Sequence, residues 1–115
     1  MKEGNVILTP IPQFNGEIKN RPAIILREMP PCGDFLVGGI STQLQKCEVN
    51  FDDVIAPSHT DFASSGLIAK SLIRLGFLAV LPRSKIIGSK GTISRGRHKR
   101  LLTTLCNYLS KIESF

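Results

Sequence analysis

Proline and glycine divide the apolar part of this sequence into short runs, which limits the chain to a few classes of fold. The run "NVILT" ends at Pro10 and Pro12, and the turn cluster "MPPCGDF" separates "AIILRE" from "FLVGGISTQ". Short runs rich in Val and Ile, bounded by turn residues, are typical of β-strands and hairpins. Because proline lacks a backbone donor, Arg21-Pro22 predicts the point where a polar loop, residues 13–20, becomes a strand.

The middle of the chain continues this pattern. The paired glycines Gly38-Gly39 predict a sharp bend or a close backbone approach, as expected where a small barrel curves. "CEVNF" predicts a further short strand, and "GLIAKSLIRL", "FLAVL" and "SKIIG" are three more apolar, β-branched segments. Residues 52–65 between them are expected to be irregular.

The period of the apolar residues changes near the C-terminus. Leu101, Leu105 and Leu109 fall four residues apart, which predicts an amphipathic helix over about residues 95–112. Ser94, directly before it, is suited to be the N-cap.

Length and composition limit the possible classes of protein. A chain of 115 residues is typical of one domain, so we expect a single domain, residues 1–115, that is mainly β, with a small, strongly bent barrel or sheet and one terminal helix. No apolar run approaches the roughly 18 residues of a membrane helix, and the N-terminus is too weakly apolar for a secretory signal. We therefore expect no membrane association and a cytoplasmic location. Three cysteines without a CxxC pair, and two distant histidines, favour neither disulfides nor zinc, and we expect no metal and no cofactor.

The charge of the chain suggests a class of partner. Fifteen basic residues against nine acidic ones give a net charge of +6, and small basic domains are candidates for nucleic-acid binding. "SRGRHKR" places Arg95, Arg97, Lys99 and Arg100 at the start of the predicted helix, where cations oppose the helix dipole. A bound polyanion would compensate for this basic patch, although a solvated run of charges is the more frequent explanation.

Two positions suit chemistry on a phosphate group. Arg21 carries a planar, always protonated guanidinium that matches phosphate oxygens. Ser41, followed by Thr42 and Gln43, places hydroxyls and an amide at the exit of a strand, where they can stabilise a developing negative charge. An exposed arginine beside a strand, and a strand that simply enters solvent, fit the same residues, and the residues alone leave both interpretations open.

In order and spacing, these segments resemble the MazF/PemK family of bacterial toxins from toxin–antitoxin systems, in its PemK-like branch. The resemblance lies in the early strand, in "NGEIK" closed by "NRPAIIL", in "GGISTQLQK", in "DFASSGLIAKSLIRLGFLAVLPRSKII" and in the terminal helix, and it covers most of the chain. It implies a small SH3-like barrel of the MazF/PemK/CcdB type that forms homodimers. It also implies the toxin of a type II system, a sequence-specific, metal-independent endoribonuclease (an mRNA interferase) that acts on single-stranded RNA, with messenger RNA as the expected target, and that is silenced by a cognate antitoxin.

The resemblance also implies roles for individual residues. Arg21 matches the catalytic arginine of the family, and Ser41 matches its catalytic threonine or serine. The positions implied to support catalysis or to bind RNA are Glu17, Lys19, Thr42, Gln43, Lys70 and Ser71. Attack by the 2′-hydroxyl of the substrate would leave a 2′,3′-cyclic phosphate and a 5′-hydroxyl.

Two other functions fit the same sequence. A toxin with this barrel can poison DNA gyrase instead of cleaving RNA, but that group is known for a C-terminal tryptophan contact, and this chain contains no tryptophan. A non-catalytic, basic nucleic-acid-binding barrel is the other alternative, and in it Arg21 and Ser41 would have no special weight.

Overall fold

The computed structural model of the protein describes residues 1–12 and 15–112, which form one antiparallel sheet and a long C-terminal helix. The strands are β1 (Asn5–Pro12), β2 (Ile18–Met29), β3 (Asp34–Ser41), β4 (Asp53–Ile55), β5 (Ser71–Leu81) and β6 (Gly88–Thr92). The helices are α1 (Phe62–Ser65) and α2 (Arg95–Ser110), with single 3₁₀ turns at Leu44–Lys46 and Arg83–Lys85. The order across the sheet is β4-β5-β3-β2-β1-β6.

Irregular pairing curls this sheet into a half-barrel. The largest irregularity lies between β3 and β5, where Gly38 pairs with Leu78 but the next residue, Gly39, pairs with Arg74. Three residues of β5 therefore bulge out of the ladder, and bulges bend a strand and increase its twist. A Cβ atom on Gly39 would lie 2.8 Å from the ring of Phe77, so the predicted close approach at the paired glycines is confirmed.

Each face of the sheet carries its own apolar layer, because successive strand residues point to opposite faces. In β2, Ile24 and Leu26 face the layer under helix α2, whereas Ala23 and Ile25 face the opposite side. The first layer contains Val6, Ile24, Leu26, Ile40, Ile55, Ile73, Leu75, Ile93, Leu101 and Leu105. The second contains Ile7, Ala23, Ile25, Phe35, Val37 and Ile86, and we call the face that carries it the open face.

The predicted terminal helix is confirmed. It runs from Arg95 to Ser110, and the Ser94 hydroxyl accepts a hydrogen bond from the backbone N–H of Arg97 at 3.1 Å. Only the first half of the predicted apolar stripe is buried. Leu101 and Leu105 pack on the sheet, but Leu109 is 68% exposed, because the last turns of the helix extend past the core.

The sequence predicted that a strand starts at Arg21-Pro22, and this prediction is wrong. Strand β2 already begins at Ile18, and Arg21 pairs with Thr9 of β1. Proline is tolerated inside this strand because β2 pairs with β3 only from Ala23 onward, so no ladder with β3 has formed at Pro22. Of the predicted loop 13–20, residues 13 and 14 lie outside the described residues.

Other segments also differ from the prediction. Residues 52–65, which were expected to be irregular, contain β4 and α1. "CEVNF" forms no strand, because Asp52 accepts a hydrogen bond from the backbone of Glu48 and donates its own N–H to the Glu48 carbonyl, which folds the segment into a turn. The predicted segments "GLIAKSLIRL" and "FLAVL" contribute to one strand, β5, which contains a bulge between its two halves.

Candidate functional site

Arg21 and Ser41 occupy matching positions on neighbouring strands. The last pair in the ladder between β2 and β3 is Ala23 with Gly39. Arg21 lies two residues beyond Ala23, and Ser41 lies two residues beyond Gly39, so the same register carries both to the same level of the sheet. Alternation places both on the open face, with Ala23 and Val37. The register of the two strands thus places both residues at the same end of the sheet, just beyond the last β2–β3 pair.

The Ser41 hydroxyl takes part in a local turn. Its Oγ accepts a hydrogen bond from the backbone N–H of Gln43 at 3.0 Å. A hydroxyl donates and accepts at once, so this bond leaves its proton available for an anionic oxygen. Ser41 is half-buried, which restricts its side chain, while Thr42 and Gln43 are exposed beyond the end of β3.

Arg74 is a third candidate residue of this site, and it was not predicted from the sequence. It pairs with Gly39 across β3 and β5, and its side chain lines a groove whose other wall is the C-terminal half of α2. Its Cζ lies 5.9 Å from the centre of the Phe77 ring, and its Nε is buried without a hydrogen-bond partner among residues 1–12 and 15–112. A buried donor without a partner costs about 1–3 kcal/mol, and an arginine in this state is suited to receive an anion. The signal in the sequence is a single charge inside the apolar run "SLIRLGFL".

A shallow apolar cavity adjoins these residues. It has a volume of about 250 Å³ and is lined by Thr9, Ala23, Gly39 and Phe77, among others. Its walls are almost entirely apolar, so a ligand there would be held by shape and ring contacts and not by hydrogen bonds.

An open groove of about 740 Å³ lies on the other side of Arg74. Lys46 and Lys111 contribute further cations to it, Glu48 and Asp52 contribute two carboxylates, and the rings of Phe51 and Tyr108 meet there with their centroids 4.9 Å apart. Cationic side chains with aromatic rings are the combination that proteins use to hold single-stranded nucleic acid.

The remaining predicted residues differ in their position and in their exposure to solvent. Lys19 is exposed in β2, two residues before Arg21, and therefore lies on the same face. Glu17 is exposed just before that strand, and Lys70 is exposed just before β5. Ser71 is buried, and its hydroxyl donates to the Ala69 carbonyl at 2.8 Å, so its polar atoms serve the local structure.

Arg97 does not belong to an exposed basic patch. Its guanidinium is 5% exposed and bonds Asp61 through Nε (2.8 Å) and Nη2 (3.0 Å), and Asp53 through Nη1 (2.8 Å). The bonds from Arg97 hold the pKa of the Asp61 carboxyl well below its usual range. Arg100 also bonds Asp53, at 2.9 Å, but stays exposed, as do Arg95 and Lys99. The predicted patch of four basic side chains is thus reduced to three.

Asp61 also compensates the start of α2. It accepts a hydrogen bond from the backbone N–H of Ser94 at 3.0 Å, so a carboxylate lies at the positive end of a helix whose first turn contains no acidic residue. Negative charge at this position is favourable.

Over residues 1–12 and 15–112, no group of three His, Cys, Asp or Glu side chains is arranged to hold a metal ion. Within the same ranges, no helix is long and apolar enough to cross a membrane.

Comparison with known proteins gives one informative finding. No protein-family model matches the chain, and no curated protein matches it. A solved structure, an endoribonuclease in complex with its cognate antitoxin from a mycobacterial species, is similar to the chain with a TM-score of 0.68. The match covers 99% of each chain at 13% sequence identity, so the similarity is one of fold. The predicted fold class, mainly β with a small barrel-like sheet and a C-terminal helix, is confirmed.

Proposed function

We propose that this protein is the toxin of a type II toxin–antitoxin system and that it cleaves single-stranded RNA at specific sequences. The observation that supports the proposal is the strand register, from which Arg21 and Ser41 are expected at the same level of the open face, with Arg74 on the strand that pairs with β3. The fold supports it, because a structure with the same fold is an endoribonuclease bound to its antitoxin.

The proposed chemistry uses a nucleophile that RNA carries itself. The 2′-hydroxyl oxygen forms a bond to the adjacent phosphorus, and the bond from phosphorus to the 5′-oxygen of the next nucleotide breaks. The 2′-hydroxyl proton leaves to a base, and the departing 5′-oxygen gains a proton. The products are a 2′,3′-cyclic phosphate and a 5′-hydroxyl, and the nucleophile needs no protein group because it is already next to the phosphorus.

The protein would stabilise the charge that develops on the phosphate. Arg21 offers a permanently charged, planar donor, and Ser41 offers the hydroxyl proton that its turn leaves available. Preorganised donors aimed at developing charge are usually the largest single contribution to such catalysis. Arg74 supplies a second guanidinium for the same or the next phosphate, and exposed Lys19 extends the positive face.

The partners follow from the same proposal. Messenger RNA is the proposed substrate, and a cognate antitoxin is proposed to block the open face. The proposed protein acts as a homodimer in the cytoplasm without a metal or a cofactor.

The test is a gel assay with the purified protein and a long single-stranded RNA, in the presence of EDTA. We expect discrete fragments that end in a 2′,3′-cyclic phosphate. A matched RNA with deoxyribose only at the nucleotide 5′ to the cut should bind with unchanged affinity and stay intact. Cleavage of that deoxy substrate at the same bond, or loss of activity in EDTA, would refute the mechanism. Intact RNA combined with inhibition of DNA gyrase would favour the gyrase-poisoning alternative, and binding without cleavage would favour the non-catalytic one.

A further inference from the structure

The apolar cavity of about 250 Å³ lies along the same strands as Arg21 and Ser41. Ala23 lines it and lies two residues beyond Arg21 in β2, and Thr9, which pairs with Arg21, lines it as well. Gly39 also lines it and lies two residues before Ser41 in β3. Two residues of a strand span about 7 Å, so the cavity begins about that far from the level of the proposed phosphate site.

One wall of this cavity is an aromatic ring that its neighbours hold in place. The Phe77 ring lies against Gly39, where a Cβ atom would come within 2.8 Å of it, and the Cζ of Arg74 lies 5.9 Å from its centre. Phe77 is 44% exposed, so part of the ring can contact a ligand. Thr9 is the one lining residue with a polar side chain within residues 1–12 and 15–112, and its hydroxyl donates to the Lys85 carbonyl at 3.4 Å. A ligand in the cavity therefore contacts apolar atoms and one ring.

The volume of the cavity limits what can enter it. An apolar cavity of about 150 Å³ holds one benzene molecule. The roughly 300–1,000 Å³ of a pocket for a drug-sized ligand is larger than the volume found here. The volume of about 250 Å³ therefore fits one planar system of one or two fused rings. A nucleobase has this size and this shape, and in RNA it is linked to an anionic phosphate.

We propose that the cavity binds one of the two bases that flank the scissile phosphate, and this step rests on the proposed function. The charge around the cavity favours an RNA strand as the occupant, because Arg21 and the exposed Lys19 lie on the same face in a chain of net charge +6. The phosphate would lie at Arg21, and the neighbouring base would stack against Phe77. Stacking of bases on aromatic side chains is the usual way in which proteins hold single strands.

The lining predicts which bases the cavity accepts. Its side chains offer no hydrogen bond that would separate adenine from guanine, or cytosine from uracil, so bases of equal ring size should be cleaved equally well at this position. A double ring fills more of the apolar volume than a single ring does. Because size differences in apolar pockets give modest selectivity, we expect purines to be favoured over pyrimidines by about 10-fold in kcat/KM.

The first test changes the cavity and the RNA together. Ala79→Leu adds an isopropyl group to a lining residue at an exposed position of β5. In the RNA, each nucleotide that flanks the cut is replaced in turn by an abasic ribose that keeps its 2′-hydroxyl. Wild type should cleave one of the two abasic RNAs about 10- to 100-fold more slowly than the complete RNA, because a stacked base is lost. Ala79→Leu should cleave the complete RNA at a similarly reduced rate and should lose nothing more with that abasic RNA.

The control is Ala63→Leu, the same change at an exposed alanine of α1 outside the cavity, which should behave as wild type with every RNA. Circular dichroism and thermal unfolding establish that both variants are folded. A titration of the uncleavable deoxy substrate, followed by fluorescence anisotropy, gives a measurement independent of the chemical step. Removal of the base should weaken its affinity for wild type about 10-fold and leave its affinity for Ala79→Leu unchanged, which is a coupling that a double-mutant cycle measures.

Three results would each overturn the proposal. They are cleavage of both abasic RNAs by wild type at the rate of the complete RNA, cleavage of the complete RNA by Ala79→Leu at the wild-type rate, and a preference that separates adenine from guanine at this position. The second result would make an apolar side chain of a protein partner the better occupant. Specific cleavage together with any of the three would leave the proposed function intact, whereas a wild type that cuts no RNA would refute the proposed function itself.

Discussion

Arg97 and Arg74 are both removed from solvent, fully or in part, but the groups that surround them differ. Arg97 is almost fully buried and bonds two carboxylates, Asp61 and Asp53. Arg74 is half-buried, its Nε has no hydrogen-bond partner among the described residues, and its nearest characterised neighbour is an aromatic ring. The first arginine forms ion pairs with two carboxylates, whereas the second forms no ion pair among the described residues.

This difference indicates that Arg97 serves the stability of the fold and that Arg74 serves ligand binding. Removing one partner from a buried ion pair leaves an uncompensated charge, so a change at Arg97 should act on folding. A buried donor without a partner already costs free energy in the folded state, so Arg74 is retained at the expense of stability. We therefore expect the surface around Arg74, and not the start of α2, to meet an anionic ligand.

The largest expected effect is the destabilisation caused by Arg97→Ala. Asp61 loses its arginine and Asp53 keeps only the exposed Arg100, so the free energy of unfolding should fall by about 3–5 kcal/mol in urea titrations. The matched control is Arg100→Ala, which removes an exposed arginine from the same Asp53 and should cost at most about 1 kcal/mol. Similar losses in the two variants would contradict a special role for the buried arginine.

Arg21→Ala should affect cleavage and leave folding almost unchanged. Loss of one preorganised donor lowers the rate of the chemical step by about 10²–10³, while the affinity for the uncleavable deoxy substrate should change little. Arg27→Ala, an exposed arginine in the same strand that pairs with Glu3, is the control and should cleave normally. Cleavage by the Arg21 variant at nearly the wild-type rate would remove Arg21 from the site.

Arg74→Ala should lower RNA affinity or the cleavage rate on the order of 10- to 100-fold, because the variant loses one hydrogen bond to a charged group. Its thermal midpoint should be equal to that of wild type or higher, because a buried donor without a partner is removed. Arg83→Ala, at the other end of β5, serves as the control for charge alone. If the Arg74 variant loses stability but keeps full cleavage, the comparison between the two arginines fails.

The Asp61 carboxyl should give the ion-pair cluster a pH dependence. Because its pKa is lowered by folding, this carboxyl contributes stability that is fully present above the usual range of an aspartate and is lost as the pH falls below that range. The difference in unfolding free energy between wild type and Asp61→Asn should be largest near pH 7 and should shrink between pH 4 and 3. A difference that stays constant over this interval would exclude the ionised carboxyl as its source.

The smallest expected effect concerns the exposed members of the basic patch. If Arg95, Lys99 and Arg100 each contact a phosphate of single-stranded RNA, their triple replacement by alanine should reduce the slope of log affinity against log salt by about 2. An unchanged slope would show that these residues are only a solvated surface.

Local signals predicted the helix well and the charged cluster poorly. Ser94 and the spacing of Leu101 and Leu105 lie within one short segment, so the sequence predicts the helix and its N-cap directly. The partners of Arg97 lie 36 and 44 residues away, at Asp61 and Asp53, and no local pattern indicates that they meet. The predicted basic patch therefore included a residue that the fold buries.

The candidate site shows the same limit. Arg21 and Ser41 were selected by residue type and by resemblance, and the pairing of β2 with β3 brings them to one level. Arg74 was missed because its position depends on the three-residue bulge in β5, which the sequence marks only by Gly76 and by the paired glycines on the opposite strand. The start of β2 was predicted too late because exposed polar residues at the end of a strand look like a loop.

The pairing of β1 with β6 has a consequence for how the protein is made. Asn5 at the start of the chain pairs with Thr92 near its end. One edge of β1 therefore stays unpaired until almost the whole chain has been synthesised. Contacts so distant in sequence form slowly, because the intervening chain must be ordered first. Arg97 is synthesised later still, and until it arrives the carboxylates of Asp61 and Asp53 have no buried partner. A chain released before this point would keep an open edge at β1, and we expect such truncated products to be substrates for proteases and not active enzymes.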